Sequence, residues 1–194
     1  MQIFRNQKIK EIIWLSRGGQ GAKTSALLFG EAALVSGFYI QVFPEYGPER
    51  SGAPMKVYTR ISNQFIKFRT PIENPSIIVV LDSSLLKNQP NDILKNKKIN
   101  FLINSPQSPT SLKKYFKIKG SILTLDASVI SKKFLNKPIP SIAMLGALIG
   151  FFDFNWSVIE SNLKDRLAEK LGKNLVEPNI KIIKESYKII NKKL

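Results

Sequence analysis

Residues 11–21, Glu-Ile-Ile-Trp-Leu-Ser-Arg-Gly-Gly-Gln-Gly, constrain the fold of this chain more than any other stretch. A short apolar run that stops in a glycine cluster reads as a buried strand ending in a tight turn. Residues 22–36 then place Ala26, Leu27, Phe29, Ala33 and Leu34 at helical spacing, and Gly37 follows as a C-terminal stop. Residues 38–43 (FYIQVF) alternate like a strand. Strand, glycine turn, helix and strand together predict a βαβ unit.

The next eleven residues, 44–54, hold five Pro and Gly, which predicts a long shaped loop rather than a regular element. Residues 55–61 follow as a strand, with residues 64–69 as a weaker strand beside it. The run 77–81 (IIVVL) has the continuous apolar character of a central parallel strand, and residues 101–103 and 122–125 repeat it. These runs end at Asp82, Asn104 and Asp126. The two aspartates are expected to cap helices. Residues 127–134, 142–152, 156–171 and 178–190 read as helices, the last with Ile180, Ile183, Tyr187 and Ile190 on one stripe. Gly146 and Gly150, with Ala143 and Ala147, are expected to permit a close helix approach in the core or against another subunit. The expectation is one α/β domain over residues 1–194, in three α/β/α layers of Rossmann-like type. Its sheet is mostly parallel but mixed, and its C-terminal third is helical.

Composition closes many routes to self-contained catalysis. The 194 residues include no Cys and no His. That excludes thiolate nucleophiles, Cys-ligated clusters and zinc sites, imidazole bases and Ser-His-Asp triads. A carboxylate-bound Mg²⁺ is not excluded but nothing signals it. A chain of this length buries roughly 70% of its unfolded surface and needs no disulfide to fold. The apolar run 139–152 contains Pro140, stops at Asp153 and falls short of the roughly 20 residues that span a bilayer. A cytoplasmic protein is expected. The net charge of +16 comes mostly from Lys, with only six Arg. Interspersed with Ile and Asn, these lysines read first as compositional bias, and second as charge neutralised by acidic partner subunits. A nucleic-acid binder would more often combine Arg with aromatics on one face.

The glycine turn is the first candidate for chemistry. Gly19 and Gly21 stand as the first two glycines of a dinucleotide fingerprint, and backbone N–H groups there can approach a phosphate. Thr24 occupies the third glycine position, Gln41 lies in the second strand where an acidic residue is sought, and the Walker A glycine positions hold Arg17 and Ala22. On its own pattern the turn is either a structural connection, an anion site or an NAD(P) site. The loop supplies a second candidate, in which Arg50 near Glu45 and Glu49 clamps an anion or ties the loop down.

Taken together, Arg17-Gly18-Gly19-Gln20-Gly21, the loop 43–54 (FPEYGPERSGAP), Tyr58-Thr59-Arg60-Ile61-Ser62, Ala143-Met144-Leu145-Gly146-Ala147 and Asn174 resemble the gamma subunit of pyruvate and 2-ketoisovalerate:ferredoxin oxidoreductases, within the 2-oxoacid:acceptor oxidoreductase family. The resemblance runs over about residues 11–190. It implies a non-autonomous subunit of a pyruvate synthase-type enzyme, which decarboxylates a 2-oxoacid oxidatively, forms acyl-coenzyme A and passes electrons to ferredoxin or flavodoxin. Thiamine diphosphate, Mg and 4Fe-4S clusters would reside in alpha, beta and delta-type partners, and this chain would help form the coenzyme A side. On that reading Gly18, Gly19, Gln20, Gly21, Lys23, Thr24, Tyr46, Gly47, Glu49 and Arg50 are the candidate coenzyme A contacts, with no catalytic or metal-binding residue in the chain. Ser141 replaces the Asn common in the family, and Ala22-Lys23 replaces two apolar residues. A stand-alone Rossmann-like nucleotide-binding protein and a basic nucleic-acid-binding protein are the alternatives.

Overall fold

The computed structural model describes residues 9–45 and 51–194. Six strands form one sheet in the order β2-β3-β1-β4-β5-β6. These are β1 (Ile9–Arg17), β2 (Tyr39–Pro44), β3 (Pro54–Ser62), β4 (Ile77–Val80), β5 (Asn100–Asn104) and β6 (Ser121–Leu125). The helices are α1 (Ala22–Val35), α2 (Asn91–Lys95), α3 (Pro109–Phe116), α4 (Ala127–Leu135), α5 (Pro140–Phe152), α6 (Trp156–Leu171) and α7 (Val176–Asn191), and a 3-10 turn covers Ser83–Asn88.

The predicted βαβ unit is present but split. β1 and β2 run parallel, yet β3 lies between them, antiparallel to both. Strands β1, β4, β5 and β6 form the parallel part of the mixed sheet. Residues 64–69 are not a strand. They belong to a segment held across the sheet by Arg60, whose residue is fully buried on β3. The Arg60 guanidinium donates to Glu11 Oε1 at 2.8 Å and to the Thr70 carbonyl at 2.6 Å. It also lies 5.4 Å from the Phe43 ring and 4.8 Å from the Phe68 ring. An ion pair, a carbonyl acceptor and two ring faces together compensate the desolvation of a buried cation.

Strand alternation divides the core in two. Ile12 and Trp14 face the layer of α1 and α4 to α7, while Ile13 and Leu15 face the layer of the 3-10 turn, α2 and α3. The first layer is the larger, and α5 lies at its centre with all thirteen residues buried. That explains why α5 lacks the amphipathic pattern of a surface helix. Its glycines face α7. A Cβ on Gly146 would sit against the Ile183 backbone, 2.8 Å from its Cα, and one on Gly150 would sit 2.6 Å from the Tyr187 carbonyl oxygen. The close approach predicted at Gly146 and Gly150 is therefore internal. Among the described residues, no single helix is long and apolar enough to cross a membrane.

The short helices α2 and α3 and the 3-10 turn were not legible beforehand, being eight residues or fewer. Their caps show why they form. Asp82 accepts from Ser84 N–H at 2.9 Å and Ser108 accepts from Ser111 N–H at 3.2 Å. Asp126 caps α4 in the same way through Val129 N–H at 3.0 Å, as expected for both aspartates.

Because the atoms facing Gly146 and Gly150 are backbone, α7 cannot yield by a rotamer change. Gly146→Ala is expected to destabilise the chain by about 3 kcal/mol, the upper end of overpacking costs. Urea unfolding followed by circular dichroism checks this, with Ala143→Ser in the same helix as a comparison.

Candidate functional site

The glycine turn lies at the C-terminal edge of the parallel strands, the edge where open α/β sheets place ligands. β1 ends at Arg17, and the turn closes through Gln20 N–H to the Arg17 carbonyl at 3.1 Å and Arg17 N–H to Gln20 Oε1 at 2.8 Å. Gly19 and Gly21 have φ of 88° and 83°, a region in which a side chain is strained. Gly21 is the N-cap of α1 and offers no side-chain acceptor, and the first turn of α1 carries no acidic residue. The N–H groups of Ala22, Lys23 and Thr24 thus start the helix without a side-chain cap, which leaves a partial positive charge there. Lys23 is exposed and adds a cation.

A second helix start meets the first. A Cβ on Gly21 would lie 2.7 Å from Ser141 Oγ, so the second residue of α5 packs directly on the turn. α5 also has no side-chain N-cap and no acid in its first turn. Two buried hydroxyls stand just before and just after the glycine turn in the chain. Ser16 Oγ on β1 and Ser25 Oγ on α1 have no hydrogen-bond partner among the described residues. Ser16 follows Ile12 and Trp14 on the face toward α1. Sequence reasoning passed over both serines; the usable signal was a polar residue interrupting that alternation.

The structure brings the loop stem to the turn. Gly18 N–H donates to the Ala53 carbonyl at 2.8 Å and Gly52 N–H to the Gly18 carbonyl at 3.1 Å. At the other stem, Glu45 N–H donates to the Lys56 carbonyl at 3.0 Å, and Tyr58 Oη donates to Glu45 Oε1 at 2.7 Å. Burial and the Glu45 carboxylate both raise the Tyr58 pKa, so Tyr58 is a neutral donor at physiological pH. Of the expected contacts, Gly18, Gly19, Gln20, Gly21, Lys23 and Thr24 lie together at the turn. Tyr46, Gly47, Glu49 and Arg50 lie outside the described residues.

Arg17 organises this edge. Its Nε donates to Asp82 Oδ2 at 2.6 Å, its Nη2 to Ser84 Oγ at 2.9 Å and its Nη1 to the Gly52 carbonyl at 3.1 Å. One guanidinium therefore joins β1, the loop stem and the cap of the 3-10 turn. Asn104 works similarly further along, donating to the Leu81 carbonyl at 2.9 Å and accepting from Ala127 N–H at 3.0 Å. Among the described residues there is no group of three or more carboxylates that could hold a metal ion.

Burial of Asp82 favours its neutral form, but hydrogen bonds from Ser84 and Arg17 and the Arg17 charge outweigh it, and the pKa falls below the ordinary 3.8. A carboxyl depressed in the folded state stabilises the fold at pH above its unfolded value, and the contribution disappears as pH falls through the folded value. Asp82→Asn is therefore expected to cost about 1–2 kcal/mol at neutral pH. Urea midpoints of the two proteins should converge as the pH is taken below that ordinary value, and a gap independent of pH would exclude the ionised pair as its source.

Residues 11–189 match the pyruvate ferredoxin/flavodoxin oxidoreductase family. The chain is 34% identical to the pyruvate synthase subunit PorC of Thermotoga maritima, over 93% of this chain and 94% of that protein. It is 37% identical to the common subunit gamma of the pyruvate/ketoisovalerate oxidoreductases of Pyrococcus furiosus, covering 91% and 95%. The crystal structure of the Thermotoga maritima pyruvate oxidoreductase subunit PORC superposes with a TM-score of 0.78 at 31% identity, over 94% of this chain and 97% of that one. The fold also recurs in the 2-oxoglutarate:ferredoxin oxidoreductase of Magnetococcus marinus, at a TM-score of 0.76 and 18% identity, where 97% of this chain covers 32% of that chain. The match over nearly the whole length, in sequence and in fold, makes this chain a member of the pyruvate ferredoxin/flavodoxin oxidoreductase family, as a gamma-type subunit.

Proposed function

We propose that this chain forms the coenzyme A side of an active site shared with alpha, beta and delta-type subunits of a 2-oxoacid:ferredoxin oxidoreductase. Thiamine diphosphate with Mg and the 4Fe-4S clusters belong to those partners; the thiamine supplies the electron sink for decarboxylation and the clusters the route to ferredoxin or flavodoxin. Coenzyme A is a substrate of the assembled enzyme, and the complex works in the cytoplasm.

The observation that carries this reading is the meeting of two uncapped helix starts at Gly21 and Ser141, with the loop stem hydrogen-bonded to Gly18. Such a junction suits the phosphates of coenzyme A, because the backbone N–H donors are already oriented and the helix dipoles add. In this role Gly18, Gly19 and Gly21 keep the backbone accessible, and Gln20 holds the turn shut from inside. Lys23 and Thr24 present an ammonium and a hydroxyl. Arg50 contributes a guanidinium that can pair with phosphate oxygens through two N–H groups, and Tyr46, Gly47 and Glu49 shape the channel around it.

Lys23→Ala and Arg50→Ala are each expected to raise the KM for coenzyme A about tenfold in the assembled complex, which corresponds to one lost charged contact. The KM for the 2-oxoacid should move less than twofold. Unchanged coenzyme A kinetics, in a complex whose subunits all appear by native mass spectrometry, would overturn the assignment. A lone chain carrying a bound nucleotide would instead favour the stand-alone nucleotide-binding alternative.

A further inference from the structure

We propose that the layer formed by residues 83–119 is a docking face for an acidic protein that binds and leaves, and that this protein is the electron acceptor of the reaction. The layer carries Lys87, Lys95, Lys97, Lys98, Lys113, Lys114, Lys117 and Lys119, all exposed, against a single carboxylate, Asp92. None of the eight forms an ion pair among the described residues.

The opposite layer also carries lysines without an ion pair among the described residues, Lys132, Lys170 and Lys181 among them, but it interleaves acids with its basic residues. There Arg166 pairs with Glu31 and Glu169, Lys164 with Glu160 and Glu177, and Lys133 with Glu185. Compositional bias towards Lys would act on both layers alike, so the absence of interleaved acids on one of them needs a separate cause.

The lysines are clustered by the fold. Lys119 N–H donates to the Leu94 carbonyl at 2.9 Å, tying the segment after α3 to α2. Lys87 Nζ lies 5.9 Å from the centre of the Tyr115 ring, which is 64% exposed. Lys87, Tyr115 and Lys117 rim a shallow hollow floored by Leu86 and Leu94. One exposed aromatic ring within a field of like charge has the form of a small anchor surrounded by steering charges.

The chemistry selects the occupant. The layer contains no Arg, and Tyr115 is its single strongly exposed aromatic, which disfavours nucleic acid with its need for stacking and bidentate contacts. A permanent subunit interface would exclude lysines from its core, because their hydration and rotamer entropy are lost on burial. Solvated lysines instead accelerate encounter with an acidic surface and let it dissociate. In a ferredoxin-reducing enzyme the electron-accepting protein must arrive and depart in every cycle. This inference rests on the family's ferredoxin-linked activity and is independent of the coenzyme A contacts.

The test uses the assembled oxidoreductase carrying K113E/K114E/K117E, with K113Q/K114Q/K117Q as a milder pair, and ferredoxin purified from the same cells as the probe. At low salt the charge-reversed complex should show a KM for ferredoxin raised roughly tenfold or more, the size of electrostatic steering effects. The neutral variant should show a smaller rise. The rate with methyl viologen, a small dye, should stay within twofold in both. Raising the salt should weaken the wild-type interaction with ferredoxin and leave the charge-reversed one nearly flat. An unchanged KM and salt dependence in an intact complex would overturn the proposal. So would loss of subunit assembly in both variants, which would mark a permanent interface, or binding of a 20-base-pair DNA duplex that the variants abolish while ferredoxin kinetics stay unaltered. A wild-type complex that reduces neither acceptor would overturn the activity itself along with the proposal.

Discussion

The contact between α5 and α7 sets the geometry of everything on that side of the sheet. Helices normally stand 8–10 Å apart because side chains separate them. Here Gly146 and Gly150 remove the spacer at two successive turns, and the backbone of α7 at Ile183 and Tyr187 fills the space. The remaining faces of α5 are then covered by α1, α4 and the sheet, so a helix apolar on every side is buried on every side. Its N-terminus is fixed as a result, and the N-terminus is the part that meets Gly21. A packing constraint deep in the core thereby determines the spacing of two helix ends at the surface.

The long elements were legible because their periodicity exceeds their ambiguity. α6 occupies the expected residues 156–171, and α7 starts two residues earlier and ends one later than residues 178–190. The central strands differ at most by a residue or two, since continuous apolar runs bounded by polar residues admit little else. The segment 64–69 misled because Phe65, Ile66 and Phe68 alternate with polar residues in a strand-like way. Its real ties are the Arg60 guanidinium, 10 residues from Thr70, and the Gln41 amide, which donates to the Ile66 carbonyl at 3.4 Å, and no local pattern encodes such ties. Nor could sequence order reveal that β3 would lie between β1 and β2.

Within the candidate site, the glycines were legible and their support was not. The turn announces itself because few other residues adopt φ near +85°. Arg17 was visible only as part of a string, and its three-way link to Asp82, Ser84 and Gly52 depends on partners 35 to 67 positions distant. Asp82 was read correctly as a cap, although its second oxygen also accepts from Arg17. The lysines were counted but not placed. Charge totals gave a basic chain, whereas the fold interleaves acids with the lysines of the helical layer and leaves the lysines of the opposite one with a single carboxylate.

The position of β3 carries a consequence for how the chain is made. β1 and β2 are joined early by α1, yet they share no hydrogen bond, because one strand's width separates them. Without β3, the facing edges of β1 and β2 therefore have no hydrogen-bond partner. Only when residues 54–62 leave the ribosome can β3 enter and satisfy both edges at once, with Thr59 accepting from the buried Trp14 indole at 3.1 Å. The half of the sheet nearest the N-terminus is thus completed from its middle, by the strand that comes last of the three in sequence.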